Sequence, residues 1–74
     1  MLTQEELDAL PPGTLITVVW SGGNGPFEYV VAKKWGRTYA AFIRRGVLHL
    51  VAELDFVGPE RPHTMVWLKE SREG

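Results

Sequence analysis

The side chains that could do chemistry in this chain are few, and cysteine is not among them, which removes disulfides, thiolate metal sites and thiol nucleophiles together. Nucleophilic catalysis would need a hydroxyl with a base beside it, and Ser21 and Ser71 stand in no local pattern with a histidine. His49 and His63 with Glu53 or Asp55 would make a two-histidine, one-carboxylate set, but their spacing corresponds to no metal motif. Glu53 and Asp55 share one side of an extended segment, yet acid–base catalysis also needs a shielded pocket, which 74 residues can hardly enclose. Ser21-Gly22-Gly23-Asn24-Gly25-Pro26 is rich in glycine, as phosphate cradles are. It lacks the Gly-Lys-Ser/Thr ending and the helix that should follow, and reads as a turn. These observations predict a protein that is not an enzyme, with no cofactor, no metal and no small-molecule substrate.

Binding chemistry is better represented. Residues 29–52 contain no acid and five bases, Lys33, Lys34, Arg37, Arg44 and Arg45, whereas the rest of the chain sets three bases against nine acids. A net charge of −1 therefore conceals a polarised molecule. Trp35, Tyr39 and Phe42 are interleaved with the five bases. Cations neutralise phosphates and aromatic faces stack bases, so these eight residues are the candidate binding set for single-stranded nucleic acid. The competing structural reading makes the charges solvating groups at hairpin ends and the aromatics core.

A second pattern points to protein partners. Residues 15–20, 40–43, 47–51 and 65–68 are apolar at successive positions, whereas a strand with one wet face alternates. Something must cover the second face: the corners of a small barrel, or another chain. The opposed charge of residues 29–52 and the remainder suits a symmetric pair, so a homo-oligomer or a protein partner is expected.

The elements that must position these residues follow from punctuation. Thr3-Gln4-Glu5-Glu6 fits a capping box and starts a short helix with Leu2, Leu7 and Leu10 on its apolar edge, stopped by Pro11-Pro12-Gly13. From Thr14 the residues turn β-branched and aromatic, cut by glycine and proline, which predicts strands at about 14–20, 27–34, 37–44, 47–52 and 63–69. Trp35-Gly36 and Arg45-Gly46 predict tight hairpins. Residues 53–62 are too apolar for a plain loop and too short for a proper helix, which suggests a single 3₁₀ turn. The expected organisation is a helix and stop over 1–13, one five-stranded domain over 14–69, and a disordered tail over 70–74. The longest apolar run is far short of the roughly 20 residues of a membrane span, and the acidic start is unlike a secretory signal, so no membrane association and a cytoplasmic location are expected.

This order of elements resembles the Src-homology-3-like small barrel, also used by Sm-like and Tudor-type modules, and the likeness covers residues 14–69. It implies a mostly all-β, five-stranded antiparallel barrel with a short N-terminal helix and a one-turn 3₁₀ helix before the last strand. An incomplete oligonucleotide-binding-type barrel is the alternative. The acidic and aromatic ligand-loop pattern of the proline-binding members is missing, because the first loop here is glycine-rich and uncharged. Two functions remain: an interaction or assembly module using its two-sided apolar strands, or a nucleic-acid binder working through residues 33–45. Trp35, Tyr39 and Phe42 separate them, favouring nucleic acid if they stack on an exposed basic face and assembly if they are buried.

Overall fold

The computed structural model describes residues 1–55, 57–59 and 63–69. Its first element is fixed by local hydrogen bonding. The Glu6 amide donates to Thr3 Oγ1 at 3.1 Å and the Thr3 amide donates to Glu6 Oε1 at 2.9 Å, closing the capping box ahead of α1 (Gln4–Asp8). Five residues cannot hold a helix in water on their own. Docking supplies the stability: Leu7 is fully buried, Leu2 and Leu10 pack at its sides, and the Leu2 amide donates to the carbonyl of Val66.

Five antiparallel strands follow: β1 (Leu15–Val19), β2 (Phe27–Lys34), β3 (Arg37–Arg44), β4 (Val47–Glu53) and β5 (Met65–Leu68). They form one sheet in the order β4-β3-β2-β1-β5. The first four make a meander, and the chain then returns so that β5 pairs with β1. The sheet is open, with β4 and β5 as its two edges, so the closure expected of a barrel is not present. Two tight turns set the meander. Trp35 and Gly36 have φ of 53° and 72°, Arg45 and Gly46 have 53° and 75°, the left-handed pairs of type I′ hairpins whose twist suits the flanking strands. The longer β1–β2 connection is closed by Trp20 and Asn24. At Gly25, φ is 123° and a Cβ would lie 2.7 Å from the carbonyl oxygen of Val18, so only glycine fits before the cis Gly25-Pro26 bond.

One side of the sheet carries the core. Register places Ile16, Val18, Val31, Ala40 and Val66 on that side, and Leu7 of α1 covers them together with Leu54 and Val57 from the segment after β4. Ala32, Ala41 and Met65 are also buried although they point to the opposite side, the mark of a curled sheet. The single 3₁₀ turn expected within 53–62 has no counterpart among the described residues, where Val57 instead bridges Thr64 in parallel; Phe56 and residues 60–62 lie outside them. The tail expected over 70–74 lies outside them as well. No helix among the described residues is long and apolar enough to cross a membrane.

Candidate functional site

The eight residues singled out by charge and aromaticity do not form one surface, because β3 carries them to opposite ends. Arg37 and Arg44 are seven residues apart along a single strand, about 23 Å at the rise of extended chain. At the near end, Lys33 is occupied by the fold. Its Nζ donates to the Asp8 carbonyl and to Thr38 Oγ1, both at 2.8 Å, while Thr38 Oγ1 donates to Asp8 Oδ1 at 2.8 Å. Gln4 completes this network by donating to Asp8 Oδ1 and to the Leu54 carbonyl and accepting from the Val57 amide. A cation at the C-terminus of α1 also faces the negative end of the helix dipole. Lys33 therefore pins α1 to the sheet.

Arg37 lies 3.3 Å from Glu53 Oε1 across β3 and β4. Lys34 sits over the Trp35 ring at 4.3 Å, and Trp35 projects from the β2–β3 turn with 79% of its surface exposed. Tyr39 is half-buried on the side away from α1, opposite Ala32 and Glu53. Phe42 points to the α1 side and stacks on His49 with ring centroids 5.1 Å apart. Arg44 and Arg45 stand at the far turn, with no ion pair among the described residues. The three aromatics thus occupy a turn and two different faces, with no common stacking platform.

A cleft of about 500 Å³ lies where α1 meets β3 and the segment after β4, lined by Asp8, Arg37, Glu53, Asp55 and His63 among others. Its polar groups are largely turned to structural use, Asp8 to Thr38 and Gln4 and Glu53 to Arg37. His49 is not there, since it lies on β4 against Phe42. No group of three metal-ligating side chains gathers among the described residues.

The larger uncovered feature is the outer half of the β3–β4 hairpin. Past Ala41, β3 leaves the reach of α1, and every residue from Phe42 to Ala52 is exposed. Phe42, Ile43, Val47, Leu48, Leu50 and Val51 are the large apolar side chains among them, Ile43 being 63% exposed. Phe42 and His49 share one face; Ile43, Leu48 and Leu50 share the other, beside a shallow groove of about 210 Å³ over Leu15, Val30 and Ala41. The ion pair of Lys69 and Glu28, at 2.8 Å, lies at the edge of this groove.

Edge strands of isolated chains are ordinarily blunted by a lysine, a proline or a covering segment. Residues 47–52 carry no charge and no proline, and their one irregularity is Val51, an extra residue between the pairs Ala41–Leu50 and Ala40–Ala52. The turn geometry also fixes which backbone groups are free. In a two-residue I′ hairpin the flanking pair, here Arg44 and Val47, exchanges both hydrogen bonds, and bonded and non-bonded pairs then alternate. Val47 and His49 thus bond inward to β3, while Leu48 and Leu50 turn their N–H and C=O groups to the open edge. A missing charge is legible in sequence. An uncovered edge is not, because strand order decides it. No family model, no curated protein and no solved structure matches this chain.

Proposed function

We propose that this protein is a non-enzymatic interaction module, built on an open form of the Src-homology-3-like small barrel, that binds another polypeptide by adding a strand to β4. One observation carries the reading: β4 is an edge strand with no charge from Val47 to Ala52, with large apolar side chains exposed on both faces and the Leu48 and Leu50 backbone groups turned outward. Main-chain bonds along such an edge supply affinity, and side chains at alternate positions supply selectivity. The return of β5 to β1 and the burial of residues on both sides of the sheet support the open-barrel description.

Peptide display against the whole chain, with Leu50→Lys and Leu48→Pro variants as counter-targets, tests the module. Proline at 48 removes an outward N–H without removing a bond to β3. The expected ligands are extended apolar segments that lose binding to both variants; ligands indifferent to both would contradict the reading. A nucleic-acid reading keeps one supporting observation, the exposed Lys34–Trp35 pair. It requires oligonucleotide affinity that falls steeply with salt and drops on Trp35→Ala.

A further inference from the structure

We infer that the strand added to β4 is β4 of a second copy of this chain, run antiparallel about a twofold axis at His49, so that two five-stranded sheets become one of ten. This rests on the module reading above and names its partner. Two independent features of the edge select it.

The first is charge. The turn before β4 carries Arg44 and Arg45, and the chain at its other end carries Glu53 and Asp55, with no charge between 46 and 52. Two copies in parallel would bring like charges together at both ends. Antiparallel copies bring the basic end of each beside the acidic end of the other, twice, and this complementarity favours the twofold arrangement.

The second is backbone register. A ladder forms where outward-facing groups meet outward-facing groups, and on this edge those belong to Leu48 and Leu50. The register that pairs Leu48 of one copy with Leu50 of the other, in both directions, is centred on His49. The same register brings the basic end of each copy, Arg44 and Arg45, beside the acidic end of the other, Glu53 and Asp55, so the charge pattern and the hydrogen-bond pattern agree on the antiparallel alignment. It also gathers Leu48 and Leu50 of both copies into a four-leucine layer on the face they share with Ile43, removing from water side chains that a lone chain leaves exposed.

Cross-linking reads the register directly, because the chain has no cysteine of its own. His49→Cys places the new thiol opposite its own symmetry mate at a non-hydrogen-bonded position, where Cα atoms stand about 4.5 Å apart, within disulfide range. Val47→Cys places it opposite Val51 instead. Under mild oxidation His49→Cys should form a covalent dimer nearly completely and Val47→Cys should not, while Val47→Cys mixed with Val51→Cys should form the mixed dimer. Sedimentation of the unmodified chain should give twice 8.3 kDa at micromolar concentration. Arg45→Glu and Glu53→Arg should each weaken the dimer about ten-fold with unchanged circular dichroism, and an equimolar mixture of the two should restore it. A mass of 8.3 kDa up to hundreds of micromolar, or equal cross-linking at 47 and 49, overturns the self-pairing. Display ligands that depend on β4 would then still stand for the module with a different partner, whereas their absence would remove both.

Discussion

β1 and β4 are built from nearly the same kind of residue, Leu-Ile-Thr-Val-Val against Val-Leu-His-Leu-Val, and they meet opposite environments. In β1, Ile16 and Val18 lose all contact with water; in β4 every residue up to Ala52 stays exposed. Composition does not separate them. Place in the sheet does, since β1 lies between β2 and β5 beneath α1 while β4 is the edge. Length explains why the cover stops where it does. A helix of five residues spans about 7.5 Å, whereas the eight residues of β3 run for about 26 Å, so α1 and the segment after β4 can roof only one end of the hairpin. The covered half is the stabilising part of the molecule, and the bare half is the surface we propose for contact.

Substitutions in the covered half and in the bare half should therefore act differently. The largest effect is expected at Leu7, where truncation to alanine opens a cavity in the covered core and should cost about 3 kcal/mol in the denaturant midpoint. A loss below about 1 kcal/mol would show that α1 is an appendage. Next comes Thr38→Val, which removes the buried hydroxyl that Lys33 and Asp8 share and should cost about 1–2 kcal/mol. Lys33→Met should act in the same direction, and a Lys33 variant that kept full stability would return this lysine to the surface set. Trp35→Asn should instead stabilise by about 0.5–1 kcal/mol, because asparagine accepts the left-handed conformation that tryptophan holds at φ 53°. Thermal melts of the two proteins would show the gain. The smallest effect is expected on the bare half: Ile43→Thr should change the stability of the dilute chain by no more than about 0.5 kcal/mol, while reducing its association.

Much of the local structure was legible because it is written in short-range chemistry. The capping box at Thr3 and Glu6, the two Xaa-Gly turns, and the limits of the second and third strands depend only on neighbours in the chain, and the structure places them where the residues indicate. Whether the sheet closes, and which apolar strand is roofed, depends on how far a five-residue helix reaches and on β5 choosing β1. Neither leaves a periodic signal. The loss of alternation illustrates this: in β1 burial still alternates, with Ile16 and Val18 buried and Leu15 exposed, in β5 Met65 and Val66 are buried on opposite sides, and in residues 47–51 both faces are exposed. The charged and aromatic set dispersed for a related reason. Counting charge along residues 33–45 treats as one cluster what β3 extends into two ends, and nothing in the type of Lys33 announces that the C-terminus of α1 will claim it.

Backbone amide exchange along β4 reads strand addition residue by residue, because the hairpin register makes the strand its own control. Val47 and His49, bonded to β3, should be protected at every concentration. Leu48 and Leu50 should exchange freely in the dilute chain and become as slow as Val47 and His49 once the added strand is bound. If Leu48 and Leu50 stay unprotected in associated samples, or are already protected in the dilute single chain, β4 is not an edge that receives another strand.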